Sequence, residues 1–239
     1  MSDKFLRNPV RIALIGATGL VGRSLIELVV GREDVRLSAI ARREIPLPPD
    51  ARMEMFVADP SKWGEIFEAM RPDVLVSALG TTRKKAGGSI EKFREVDHCL
   101  VLDAAQSARR FGVERMIVTS SVGAAIGSRS DYLRVKGETE RNLAKLGFHR
   151  LDILRPSLLR GKREEDRRPL ETIGIAAAPF VNSFLHGHYR KYRAVKANDV
   201  ARAALTLSLK QTRGRYLHEY DSLMRLANSL PDPVRGMHL

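Results

Sequence analysis

Ile12-Ala13-Leu14-Ile15-Gly16-Ala17-Thr18-Gly19-Leu20-Val21-Gly22 decides how the rest of the chain is read. Its first four residues have the length and apolar character of a fully buried strand. Three glycines follow at G-x-x-G-x-x-G spacing. Beyond them, Leu20, Val21, Ser24, Leu25, Ile26, Leu28, Val29 and Val30 suit a helix, and Gly31 is its left-handed stop. Strand, glycine turn and helix together bring backbone N–H groups and a helix N-terminus up to a phosphate. In that geometry Gly16 permits the tight turn, Gly19 admits a diphosphate to the backbone, and Gly22 lets the helix lie close on the strand. The spacing is not the G-x-G-x-x-G of the general dinucleotide fingerprint, so the run also fits a tight turn that binds nothing.

Working outward, strands are expected at 35–40, 53–57, 74–79, 113–119 and 151–154, with helices at 61–70 and 89–111 between them. That alternation implies an α/β fold: a Rossmann-type doubly wound parallel sheet with a small C-terminal substrate-side lobe. The whole chain, 1–239, reads as a single NAD(P)-binding domain, with about 157–195 and 211–239 as substrate-side additions. Asp199 is expected to cap a packing helix and 223–230 to form the last one, with a mobile tail from Pro231.

Composition narrows the class. Of 239 residues 44% are apolar, enough for a sizeable core. The one cysteine, Cys99, excludes an internal disulfide and suits a reducing compartment. With no apolar leader visible, the expectation is a cytoplasmic protein. No run approaches the roughly 18 apolar residues that span a bilayer. The net charge is +13. It would suit nucleic acid, an anionic surface or a phosphorylated ligand. Aromatics, at 6%, do not interleave with the basic residues as base-stacking platforms would, which argues against nucleic acid as the main partner.

Several positions suggest cofactor contacts. Gly16, Thr18, Gly19, Leu20, Val21 and Gly22 form the phosphate turn. The second strand ends at Arg42-Arg43, where a ribose-binding acid often sits; two guanidinium groups suit a 2′-phosphate, so NADP(H) is expected over NAD. Asp59 either accepts from an adenine amino group or caps the next helix. Leu79, Gly80 and Thr81 close the fourth strand where open sheets bind ligands, ahead of the basic glycine-rich stretch to Gly88. A histidine pair, His186 and His188, has no neighbouring ligand types, so no metal is expected.

The candidate chemistry follows the fifth strand. Ser120-Ser121 precede Tyr132-Leu133-Arg134-Val135-Lys136. Tyrosine and lysine four apart share one helix face. An ammonium beside a phenol favours the phenolate, and such a tyrosine exchanges a proton with a carbonyl or hydroxyl oxygen. Tyr192 and Lys196 repeat the spacing, but lead into an expected strand and read as structural.

Together with Leu154-Arg155-Pro156, these motifs resemble the short-chain dehydrogenase/reductase superfamily, in its atypical or extended branch. Two longer stretches, 79–87 and 132–138, are similar to the Tat-interacting-protein oxidoreductase-like subgroup. The resemblance covers about 10–226. It implies a Rossmann fold, NADP(H), and a Ser-Tyr-Lys site with Tyr132 as acid/base and Lys136 on the nicotinamide ribose. Ser120 or Ser121 would hold the substrate oxygen, and Pro156 would border the nicotinamide. The superfamily often has an asparagine in the fourth helix; here that region reads Val96-Asp97-His98-Cys99. The expected activity is NADPH-dependent oxidation or reduction of an unidentified carbonyl or hydroxyl small molecule. The alternative is an NADP(H)-binding regulatory or scaffold protein with little turnover, working through a protein partner or a homodimer.

Overall fold

In the computed structural model, which describes residues 8–81, 87–161 and 186–233, the opening run is strand β1 (Val10–Ile15). It lies between β2 (Val35–Ala41) and β4 (Val74–Ser77). β3 (Glu54–Val57), β5 (Arg115–Thr119), β6 (Arg150–Leu154) and β9 (Gly214–His218) complete a seven-stranded parallel sheet among the described residues, in the order β3-β2-β1-β4-β5-β6-β9. The order reverses between β1 and β4, so the strand ends there face the crevice where such sheets take ligands. A short pair, β7 (Leu159–Arg160) with β8 (Val195–Lys196), stands apart from this sheet.

Helices cover both faces, as a buried parallel sheet requires. On one side α1 (Leu20–Val29), α6 (Ala197–Ser208) and α7 (Tyr220–Asn228) bury Leu25, Ile26, Val200, Leu205 and Leu223 against Ile12, Leu14, Leu37 and Val76. On the other, α2 (Trp63–Met70), α4 (Leu100–Arg110) and α5 (Asp131–Leu143) bury Trp63, Phe67, Val101 and Leu143 against Ile15, Leu75, Met116 and Val118.

Arginines at the strand starts fasten the edge opposite the crevice. Arg11 grips Asp73 with its side chain (3.1 Å) and its backbone N–H (2.8 Å). Arg115 donates to the carbonyls of Asp73, Ser208 and Lys210, which ties the start of β5 to the last residue of α6 and the turn after it. Arg150 holds Asp152 and Thr212. Part of the positive charge is thus structural. Burial opposes ionisation of Asp73, but the hydrogen bonds and charge of Arg11 outweigh it and hold the carboxyl below its ordinary range.

Several expected elements are corrected. The helix expected over 89–111 is interrupted: α3 (Ile90–Arg94) and α4 flank a π-turn (Glu95–Cys99). Asp199 is not a cap; β8 runs straight into α6 at Ala197, and Asp199 lies in the first turn. Residues 211–239, set apart as an addition, supply the edge strand β9 and then α7. Pro231, where the tail was to begin, accepts a hydrogen bond from Arg32. The second tyrosine–lysine pair is as expected: Tyr192 closes a 3-10 turn (Gly187–Tyr192) and leads into β8, so Tyr192 and Lys196 share no helix face. The stretches 82–86 and 162–185 and the termini lie outside the described residues.

Two predictions test these contacts. A Cβ at Gly22 would meet the Gly16 carbonyl oxygen at 2.3 Å, so Gly22→Ala should destabilise the fold by about 1–3 kcal/mol in urea titration. Asp73 stabilises the fold above its unfolded pKa. That contribution disappears as pH falls through the lower folded value, and Asp73→Asn should abolish this acid dependence. Both partners are part-exposed, so the effect should not exceed about 1 kcal/mol.

Candidate functional site

Backbone sterics build the glycine turn after β1. Gly16 has φ +86° and faces the Ala78–Leu79 peptide so closely that a Cβ would come within 2.4 Å. Gly19 donates its N–H to the Gly16 carbonyl (3.0 Å) and caps α1 with no side-chain hydrogen bond. The first turn of α1 holds no acid. Its leading N–H groups, at Leu20, Val21 and Gly22, have no intrahelical acceptor. Thr18 is exposed beside them. This is a donor set that fits a diphosphate. Arg42 and Arg43 stand exposed just past β2, two guanidinium groups suited to a further phosphate.

Asp59 caps the 3-10 turn ahead of α2, accepting from the N–H (3.0 Å) and hydroxyl (2.7 Å) of Ser61. Those bonds, backbone first, hold its carboxyl below the usual range. The geometry favours the capping role. Leu79, Gly80 and Thr81 leave β4 beside Gly16, and the Thr81 N–H donates to Asp97 Oδ2 at 2.8 Å.

Tyr132, Lys136 and Glu140 follow one another at helical spacing along α5. Phe93 of α3, fully buried, packs on the Tyr132 ring with centroids 5.0 Å apart. The Lys136 ammonium lies 2.7 Å from Asp97 Oδ1 and 3.3 Å from the Thr119 carbonyl at the end of β5. Glu140 is gripped by both arms of Arg155 (2.9 and 2.5 Å). It also accepts from the hydroxyl of Ser120 at 2.5 Å. The two serines therefore differ. Ser120 is buried and committed to Glu140. Ser121 is partly exposed, and among the described residues its hydroxyl reaches the Val122 carbonyl alone, at 3.4 Å. Pro156 is buried, and its carbonyl takes the Val122 N–H (3.0 Å), tying the serine corner to the exit of β6.

Gly137 lies inside α5, where a glycine ordinarily weakens a helix, yet here it is a requirement. A Cβ there would lie 2.5 Å from the Ala125 backbone, so the glycine admits the 122–128 loop against α5. The π-turn is fastened to the same helix at several points. Thr139 donates to the Asp97 carbonyl (3.0 Å) and Asn142 lies 3.1 Å from His98 Nε2, while Arg94, the last residue of α3, pairs with Glu138 (2.6 Å). Burial, then the Arg94 charge, lowers the pKa of His98, keeping its ring neutral and able to accept.

Sequence reading gave no role to Asp97, Phe93, Glu140, Arg155 or Gly137. Two signals were present. Phe93, Asp97 and Val101 fall four apart, which puts an acid in an apolar stripe, where a charge needs a partner. Tyr132, Lys136 and Glu140 share one face. Because the Gly137 contact is with backbone and cannot rotate away, Gly137→Ala should cost about 1–3 kcal/mol by thermal or urea unfolding.

A model of the NAD(P)H-binding family matches residues 16–207. "Protein fmp52, mitochondrial" from Aspergillus clavatus is 38% identical over 213 residues, 85% of this chain and 88% of that protein. The protein of that name from Candida albicans is 31% identical over 229 residues, 91% and 98% of the two chains. Among solved structures, a putative NAD-dependent epimerase/dehydratase from Bacillus halodurans superposes with TM-score 0.65 at 21% identity, covering 92% of this chain and 100% of that one. A UDP-glucose 4-epimerase from Thermotoga maritima gives 0.66 at 14%, covering 95% and 85%. At such identities these structures speak to the fold alone. The curated relatives are named as mitochondrial proteins, which overturns the cytoplasmic expectation. A single cysteine reports on redox conditions and carries no address. No helix among the described residues is long and apolar enough to cross a membrane. With its glycine turn, its seven-stranded parallel sheet and these matches, the chain belongs to the NAD(P)H-binding family, has a Rossmann-type fold and is related to the fmp52 proteins.

Proposed function

We propose that this chain is an NADPH-dependent oxidoreductase acting on a small carbonyl or hydroxyl compound. The observation that carries the reading is Tyr132 one turn before Lys136 on α5, with the ammonium fixed at the end of β5 and Ser121 on the loop that follows that strand. The nicotinamide would supply or accept the hydride.

The chain's own groups divide the remaining work. Residues 16–22 hold the diphosphate with backbone N–H groups and the positive end of α1. Arg42 and Arg43 select the 2′-phosphate through charge-assisted hydrogen bonds. Lys136 holds ribose hydroxyls and lends its charge to the phenol. Tyr132 passes a proton to, or takes one from, the substrate oxygen. Ser121 orients that oxygen. Its hydroxyl is uncommitted beyond a long backbone contact, whereas the Ser120 proton already belongs to Glu140. Ser120 is the structural member of the pair.

Binding and turnover test this separately. By thermal shift or tryptophan fluorescence, NADPH should bind at least about tenfold tighter than NADH, and Arg42→Ala/Arg43→Ala should close that gap. Equal affinity for the two nucleotides contradicts the 2′-phosphate assignment. Across a carbonyl panel, Tyr132→Phe should lower kcat by about 10²–10⁴-fold with NADPH affinity retained. Ser121→Ala should reduce kcat without unfolding the protein, while Ser120→Ala should lower stability first. NADPH binding with no turnover on any panel member favours the regulatory alternative.

A further inference from the structure

We propose that Asp97 is the residue that positions Lys136, through a buried ion pair that sets the ammonium in place before any nucleotide arrives. The inference rests on the reading of Lys136 as a cofactor-binding residue. Asp97 is 1% exposed and Lys136 5%. Neither charge can be balanced by water at that depth, so each needs the other. Their separation is 2.7 Å.

The carboxylate is itself immobilised. Its second oxygen accepts the Thr81 N–H at 2.8 Å, and its own backbone carbonyl accepts the Thr139 hydroxyl at 3.0 Å. Asp97 is thereby fixed both to the exit of β4 and to α5, the two walls between which a nicotinamide ribose would lie. A neutral side chain there could match the hydrogen bonds but not the charge. The location also fits. Asp97 is the middle residue of the π-turn, a departure from α-helix that concentrates at functional sites. The Asp97 Oδ1 contact is one of charge, with no aligned hydrogen bond, and the Lys136 ammonium donates to the Thr119 carbonyl (3.3 Å), so its other N–H groups remain for a ligand. Removing the carboxylate should free the ammonium to wander, and nucleotide affinity should suffer even though Asp97 touches no nucleotide. Asp97 is a positioning residue.

A double-mutant cycle on NADPH affinity, read by tryptophan fluorescence, tests this on the full chain. Asp97→Asn should weaken NADPH binding about tenfold, and the Asp97→Asn/Lys136→Met double variant should bind no worse than Lys136→Met alone. Asp97→Glu, which keeps the charge, should recover most of the affinity and remains informative should Asp97→Asn fold poorly. In urea, the double variant should be more stable than Lys136→Met, which strands a buried carboxylate. Three results overturn the proposal: additive losses in the cycle, unchanged affinity in Asp97→Asn, or Asp97→Glu no better than Asp97→Asn. A wild-type chain indifferent to NADPH overturns the functional reading and this role together, whereas wild-type binding with one of those three results overturns the role alone.

Discussion

The close approach of the first helix to the first strand governs everything downstream. Gly16 lies against the peptide that leaves β4, and Gly22 lies against Gly16. No side chain fits at either place. This contact seats α1 on the sheet, aims its free N–H groups over the strand ends, and fixes the distance between the turn and the β4 exit. Because Leu25 and Ile26 of α1 share a core with α6 and α7, the same approach orders the whole of that face. The turn proposed to bind the diphosphate is thus also a packing constraint, held by backbone contacts and not by a capping side chain.

On the far wall of the crevice, electrostatics replaces sterics. α5 is bolted down by two ion pairs one turn apart, a buried one of Lys136 with Asp97 and a part-buried one of Glu140 with Arg155. Each partner comes from a different element: the π-turn and the end of β6. Breaking either leaves an uncompensated charge in the interior, so the arrangement resists partial loosening. Between the bolts and the N-terminus of α5, Phe93 holds the Tyr132 ring. The helix is therefore located from three directions, and the phenol inherits that precision. On the proposed reading, in which the phenol transfers a proton, such support matters because small displacements of the reacting group cost large factors in rate.

The sequence was legible where a pattern is local. Apolar runs, glycines and helical spacing disclosed β1 to β6, the phosphate turn, and the shared face of Tyr132 and Lys136. It was less legible where the decisive partner is distant in the chain. β9 escaped because four of its five residues are exposed at the sheet edge, so it lacks the alternation of a half-buried strand. The start of α6 was misplaced because pairing of β8 with β7, not a capping side chain, sets it. Nothing local marks Gly137 as required, because the loop that needs it lies twelve residues earlier, at Ala125. Ser120 and Ser121 could not be separated until Glu140 and Arg155 came into view. Arg11, Arg115 and Arg150 read only as net charge, yet they serve as clamps on loops and helix ends.

Hydrogen–deuterium exchange of the intact chain with and without saturating NADPH tests the central claim most directly, since it reports where a nucleotide rests without requiring a substrate. Slower exchange should concentrate in residues 16–22, in 78–81 at the β4 exit and in 131–140 of α5. Protection confined to other parts of the surface, or no change at 16–22, would contradict the account.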